Sequence, residues 1–163
     1  MGQRATWKQL GESLVATLRQ VAPVTFALVG MLGLAKIMDH AGMVDHLASA
    51  AAASAGAGWP VISPFVGVLG SFITGSATSS NILFTELQEA TAETIGLPPE
   101  TILGAQGFGA GVGNMIALHN IIAGGATVGL EGQEGQVLRR TLPVCLLYTL
   151  LGGLLALLLV RNG

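Results

Sequence analysis

A polar cluster lies between two apolar stretches of this chain, in the twelve residues from Gly70 to Asn81, GSFITGSATSSN. Hydroxyl and amide side chains are neutral hydrogen-bonding groups, so together they could hold a small solute or an ion. The candidate contact residues are Thr74, Gly75, Ser76, Thr78, Ser79 and Asn81. The alternative is that these serines and threonines only cap and pack helices.

A second polar group interrupts a later apolar stretch and contains Asn114, His119 and Asn120. We expect these side chains to face the first cluster, although the amides could instead satisfy backbone groups that nearby glycines leave free. His119 is a candidate proton carrier because histidine titrates near neutral pH. Glu86, soon after the cluster, is the other candidate for proton coupling, unless it belongs to a wetted helix face.

The composition predicts an integral membrane protein. Of the 163 residues, 51% are hydrophobic and only 10% are charged, and no Lys or Arg occurs between Lys36 and Arg139. Soluble domains have about 25% charged residues. Polar backbone at membrane depth is tolerated only where it is buried or lines a cavity. The polar cluster therefore favours a transporter.

The same composition argues against other classes of protein. The net charge of −2 gives no basic face for nucleic acid. A single cysteine, Cys145, excludes an internal disulfide. No nucleophile, base and orienting group assemble into an enzyme site, and no residue set predicts a metal or organic cofactor.

The apolar segments predict a single all-α membrane domain, residues 1–163. A mildly basic, amphipathic lead-in at 1–20 precedes a first span at 21–38, and a final span covers 141–160. A signal peptide is a weaker interpretation of the first span, because its apolar core is too long. A longer apolar stretch at 101–130 contains eight glycines and predicts a broken transmembrane helix.

The region 60–95 has two apolar arms of fourteen residues, Pro60–Ile73 and Ile82–Ile95. Arms of this length are too short to span a bilayer and fit a re-entrant helical hairpin, with the cluster at 74–81 as its tip. Two full spans are the alternative. Basic residues precede the first and last spans, which predicts a multi-pass protein of the plasma membrane with a cytoplasmic N-terminus.

Three runs carry a resemblance to a known family: PFVGVLGSFITGSATSSNILFTELQ, GAGVGNMIALHN and GLEGQEGQVLRRTL. They resemble the C-terminal part of the L-lactate permease family, which is a group of proton-coupled carriers of lactate and related 2-hydroxy acids such as glycolate in bacterial inner membranes. The resemblance implies an inverted-repeat ion-transporter-like fold, with a re-entrant hairpin and a discontinuous helix in each repeat. This sequence has Leu118 and His119 where the family usually carries Pro and Gln.

The resemblance implies proton symport of a 2-hydroxy carboxylate, with its carboxylate and hydroxyl held at the hairpin tip. Family members are longer, so the chain is expected to correspond to the second repeat. Its partners would be the lipid bilayer and either the missing N-terminal repeat or a second copy of the chain. Two alternatives remain: a non-transporting subunit or truncated carrier that needs a partner chain, and a small ion channel.

Overall fold

The part of the chain that the structure describes is folded into seven α-helices. The computed structural model describes residues 7–130 and 132–162, and these residues contain no β-strand. The helices are α1 (Trp7–His40), α2 (Met43–Ala55), α3 (Trp59–Thr74), α4 (Ala77–Ile95), α5 (Pro99–Gly113), α6 (Leu118–Val128) and α7 (Glu134–Asn162), with a 3-10 turn at Gly56–Gly58 between α2 and α3. The prediction of an all-α protein is confirmed.

The connection between α3 and α4 is only two residues long. Gly75 adopts the left-handed conformation with φ 68°, and its N–H donates to Ser71 O at 2.6 Å, which ends α3. Ser76 is extended, and its Oγ accepts from Ser79 N at 3.3 Å, which caps the start of α4. Glycine suits the first position because it has no Cβ, and serine suits the second as an N-cap. The non-helical tip is therefore shorter than the predicted 74–81.

Helix α3 is the central helix and packs against α4, α5 and α7. A Cβ at Gly67, Gly109 or Gly113 would overlap backbone atoms of the facing helix, so these glycines set how closely α3 and α5 approach. Small residues at such contacts are typical of membrane helices, since close approach increases van der Waals contact. Three of the glycines scattered through the sequence therefore form the close contact between α3 and α5.

We expect Gly109→Ala to destabilise this packing. The new Cβ would overlap the Pro64 backbone, with Pro64 Cα at 2.7 Å, and backbone cannot move aside without separating the helices. Overpacking of this kind costs about 1–3 kcal/mol or more, so the melting temperature in detergent should fall by several degrees. Gly107→Ala is the matched control on the same helix, because nothing lies within 4 Å of its Cβ position. Equal melting temperatures for the two variants would contradict the close packing.

The first helix is continuous through the predicted lead-in and the predicted first span. Helix α1 covers residues 7–40 without a break and packs against α4 and α2. Residues 1–6 of the predicted lead-in at 1–20 lie outside the described residues. Large apolar side chains such as Phe26, Val29 and Ile37 are exposed on α1. Exposed apolar surface of this extent suits contact with lipid or with a partner.

Two helical segments of the described chain are long and apolar enough to cross a membrane, judged by length and composition. One is Met43–Thr74, which comprises α2, the 3-10 turn and α3, and the other is α7, Glu134–Asn162. Helix α7 contains the predicted final span at 141–160. Its leucine-rich outer face, including Leu147, Leu155 and Leu158, is exposed, while Cys145, Thr149 and Ala156 are buried against the other helices.

The apolar stretch at 101–130 is divided between two helices. Helix α5 ends at Gly113 and α6 begins at Leu118, so residues 114–117 lie between them. Ala117 is extended at the start of α6, and no side chain caps this end of the helix. The first N–H groups of α6 therefore lack intrahelical partners.

Candidate functional site

The start of α6 lies against the tip of the α3–α4 hairpin. A Cβ at Gly75 would overlap the His119 ring, so the imidazole rests directly on the glycine. Asn120 Nδ2 donates to Gly75 O at 3.3 Å and to Asn114 O at 3.2 Å. The structure thus brings together four of the predicted site residues, although 39 or more positions separate Gly75 from the others in the sequence.

Two helices begin beside Gly75. Helix α4 begins at Ala77 beside the tip, and α6 begins at Leu118 beside His119 and Asn120. The first N–H groups of a helix point away from its body, and its dipole leaves partial positive charge at that end. An anion placed between the two ends could accept hydrogen bonds from both.

Thr74 holds the shape of the tip. Its Oγ1 donates to Gly70 O at 2.8 Å and accepts from Ser76 N at 3.3 Å. The hydroxyl therefore ties the end of α3 to the cap of α4. Thr78 is exposed on the first turn of α4. It lies beside the tip in sequence, with its side chain outside the packed helices.

Ser79 and Asn81 form a second group, one turn further along α4. Ser79 is buried, and its N–H bond to Ser76 Oγ connects it to the tip. Asn81 is half-buried and faces α5, where Gln106 Nε2 lies 3.5 Å from Asn81 Oδ1. Apart from the exposed Thr78, the predicted contact residues therefore occupy two neighbouring places: the contact of the tip with α6, and the beginning of α4, where Asn81 faces α5.

Sequence reasoning missed two glutamines beside this site. Gln88 and Gln106 are 0% and 1% exposed and hydrogen-bond each other, with Gln88 Nε2 at 2.9 Å from Gln106 Oε1. Gln106 Nε2 also donates to Ser80 Oγ at 3.3 Å. A rule that treats every amide within an apolar stretch as a candidate would have found both, because buried polar groups need partners.

Glu86 lies apart from the tip and pairs with Lys36 of α1 through its Oε1. Its other oxygen, Oε2, is buried and has no hydrogen-bond partner among the described residues. Ten residues of helix separate Glu86 from Ser76, a distance of about 15 Å along α4. Glu86 is therefore a paired charge at the α1–α4 contact, and it does not touch the tip.

An open cavity of about 310 Å³ reaches the second polar group, since Asn114 and Asn120 line it together with apolar residues of α6. A larger cavity of about 660 Å³ lies between α5 and α7 and is almost entirely apolar. It contains none of the predicted site residues, so its size carries no weight for solute binding. Within residues 7–130 and 132–162, no cluster of acidic, histidine or cysteine side chains could hold a metal ion.

Comparison with known proteins gives consistent matches. A family model described as L-lactate permease matches residues 1–162. An L-lactate permease of Salmonella typhimurium is 36% identical over 143 residues, which is 88% of this chain and 26% of that protein. An L-lactate permease of Bacillus subtilis is 34% identical over 146 residues, 90% of this chain and 26% of that protein.

Glycolate permease GlcA of Escherichia coli is 37% identical over 131 residues, which is 80% of this chain and 23% of that protein. The chain spans about a quarter of the length of these relatives. No solved structure matches it.

Proposed function

The chain belongs to the L-lactate permease family, and from this membership we propose that it serves in secondary active transport of L-lactate across the bacterial plasma membrane. Glycolate and related 2-hydroxy monocarboxylates are the further proposed substrates, because one matching relative is named a glycolate permease. The names of the relatives indicate a membrane transporter rather than an enzyme.

The meeting of α6 with the hairpin tip is the observation that carries this proposal. Asn120 bonds to Gly75 O at 3.3 Å, which places the beginning of α6 beside Gly75, two residues before α4 begins. Interrupted helices whose N-termini face an anionic solute are a recurring arrangement in secondary transporters. The proposed contact residues are Thr74, Gly75, Ser76, Thr78, Ser79, Asn81, Asn114, His119 and Asn120.

The chemistry of these residues suits a solute that must be released again. None of the nine carries a fixed positive charge, so the carboxylate would be held by N–H and O–H donors alone. Hydrogen bonds to a charged group are stronger than neutral ones, and several of them can hold an anion without an ion pair. The solute hydroxyl would add one donor and one acceptor, for which the asparagine amides are matched.

We propose a proton as the coupling ion and Glu86 as its first candidate carrier. Glu86 is paired with Lys36, so a proton that neutralises its carboxylate would also weaken the contact between α1 and α4. Intramembrane carboxylates are the usual proton relays of transporters. His119 is the second candidate, because its ring lies at the tip itself.

The proposed arrangement in the membrane has the α3–α4 tip at membrane depth, as a re-entrant hairpin, with the N-terminus in the cytoplasm. The contact of the tip with the interruption between α5 and α6 supports this depth, since non-helical backbone within a bilayer must be buried in protein or line a cavity. The complete carrier would contain a second, inverted repeat, either in the same polypeptide or in a partner such as a second copy of this chain.

Uptake of labelled L-lactate into vesicles that contain the protein tests the proposal. With membrane insertion verified separately, we expect saturable uptake that increases when the outside is made acidic and that unlabelled glycolate inhibits. Protein-free vesicles provide the background. Verified insertion without saturable uptake, both alone and with a co-inserted partner repeat, would contradict the proposed function.

A further inference from the structure

A chain of buried hydrogen bonds connects the beginning of α3 to the polar side of α4. Trp59 Nε1 donates to Gln88 Oε1 at 2.9 Å, and Gln88 Nε2 donates to Gln106 Oε1 at 2.9 Å. Gln106 Nε2 then approaches Ser80 Oγ at 3.3 Å and Asn81 Oδ1 at 3.5 Å. Three helices, α3, α4 and α5, contribute to this chain.

This series of hydrogen bonds has a fixed direction from donor to acceptor. An indole N–H can only donate, so the Gln88 atom that faces Trp59 must be the amide oxygen. The Gln88 nitrogen then faces Gln106 and also donates to Ser63 O at 3.1 Å, which a flipped amide could not do. The Gln106 oxygen must therefore point to Gln88, and its nitrogen must point toward α4. The tryptophan thus determines the orientation of both glutamines.

The same donor-to-acceptor direction extends to the proposed contact residue Asn81. Ser80 Oγ already donates to Gly67 O at 2.8 Å, so it acts as an acceptor toward Gln106. The Asn81 atom nearest to Gln106 Nε2 must also be an acceptor, which is its Oδ1. Among the described residues, no acceptor lies within hydrogen-bond distance of Asn81 Nδ2, and this nitrogen is not a buried, unpartnered atom.

We propose that Gln106, oriented by Gln88 and Trp59, is a positioning residue that turns the Asn81 amide so that Nδ2 donates to the carboxylate of the transported solute. This inference rests on the proposed function, because it assumes that Asn81 contacts the solute. An amide with the opposite orientation would present its oxygen to the carboxylate and repel it. An asparagine amide by itself can turn either its NH₂ donor or its oxygen acceptor toward a ligand. The network turns the donor toward the solute, so this position favours anions.

A thermodynamic cycle between Gln106 and Asn81 tests the positioning role. Equilibrium binding of labelled L-lactate is measured for purified wild-type protein, Gln106→Met, Asn81→Ala and the double variant. We expect Gln106→Met to raise the Kd about tenfold or more when Asn81 is present, and to change it less than twofold when Asn81 is already alanine. An equal change in the two backgrounds, or an unchanged Kd in folded Gln106→Met, would overturn the proposal.

Two controls separate positioning from packing. Thr91→Val removes another buried hydroxyl of α4, which bonds only within its own helix to Leu87 O at 2.7 Å, and it should leave the Kd unchanged. Melting temperatures are measured for every variant, because a purely structural role of Gln106 lowers the melting temperature without changing the Kd of the folded protein. If Gln106→Met does not fold, Gln88→Met interrupts the same chain one bond earlier and takes its place in the cycle.

A second measurement reads the orientation of Asn81 without any ligand. In protein labelled with ¹⁵N-asparagine, the side-chain NH₂ signal of Asn81 is identified by its loss in Asn81→Ala. Fast exchange of these protons with water is expected, because Nδ2 donates no hydrogen bond to the described residues and is not among the buried, unpartnered atoms. Protected protons would overturn the proposed orientation. Wild-type protein that fails to bind lactate, but whose Asn81 protons exchange fast, would contradict the proposed substrate and leave the orientation standing.

Discussion

We expect Thr74→Ala combined with Asn81→Ala to reduce saturable L-lactate uptake by about 100-fold or more. Asn81→Ala removes the proposed donor to the carboxylate, and Thr74→Ala removes the hydroxyl that bonds Gly70 O and Ser76 N and so fixes the tip. Asn81→Ala would lose one hydrogen bond to a charged group, about 1.5–3 kcal/mol, and Thr74→Ala would lose two neutral hydrogen bonds of about 0.5–1.5 kcal/mol each. Together these losses amount to about 3 kcal/mol or more. Each 1.4 kcal/mol corresponds to a factor of about ten.

The control for this pair uses the same residue types away from the tip. Thr94 bonds Ala90 O at 2.7 Å and Asn162 bonds Leu158 O at 2.9 Å, both within their own helices. Thr94→Ala with Asn162→Ala should transport as the wild type does. Membrane insertion is compared for both double variants. Undiminished uptake by the Thr74 and Asn81 pair would exclude the hairpin tip from the path of the solute.

The sequence allowed the helical class and the position of the polar residues to be predicted, because both depend on local composition. The low charge and the long apolar stretches predicted helices, and the structure confirms an all-α chain in the part that it describes. The glycines and asparagines between 101 and 130 predicted an interruption, and non-helical residues 114–117 lie within that stretch. Solute binding by the clustered residues stays a prediction.

The tip is shorter than the composition predicts, because a side-chain cap starts α4 early. Ser76 and Ser79 are three residues apart, the spacing of an N-cap with the N–H that it accepts, and this bond starts α4 at Ala77. The hydroxyl-rich composition suggested a loop through Asn81 instead. Serine and threonine favour loops and helix starts alike, so composition alone could not separate the two.

Other parts of the site depend on tertiary contacts that no local pattern encodes. Gln88 and Gln106 are 18 positions apart, and Lys36 and Glu86 are 50 apart. Each side chain by itself resembles an ordinary polar residue at a helix surface. Their roles follow from the packing of α4 between α1 and α5. Gln88 and Gln106 form part of a buried series of hydrogen bonds, whereas Lys36 and Glu86 form an ion pair at a helix contact.

Removal of the ion pair between Lys36 and Glu86 is expected to have the second large effect. The quantity affected is the accumulation of lactate driven by a proton gradient. We expect Glu86→Gln combined with Lys36→Met to retain exchange of internal for external lactate and to lose accumulation driven by the gradient. A one-unit pH gradient supplies about 1.4 kcal/mol per proton, enough for tenfold accumulation with one proton per lactate. With the double variant, the lactate concentrations inside and outside the vesicles should become nearly equal. Both charges are removed together because Lys36→Met alone would leave the Glu86 carboxylate without its cation, whereas Lys36 also lies 3.8 Å from Asp39 Oδ2.

The measurement is the ratio of internal to external labelled lactate in vesicles at an imposed pH difference, with exchange measured in the same preparation. Glu89→Gln is the matched control, since Glu89 is an exposed carboxylate one turn from Glu86 on the same helix. It should accumulate lactate as the wild type does. If the Glu86 and Lys36 variant still accumulates lactate while His119→Gln does not, the proton is carried at the tip. The α1–α4 ion pair would then hold these helices together without taking part in coupling, because its charges could be removed with no effect on the gradient response.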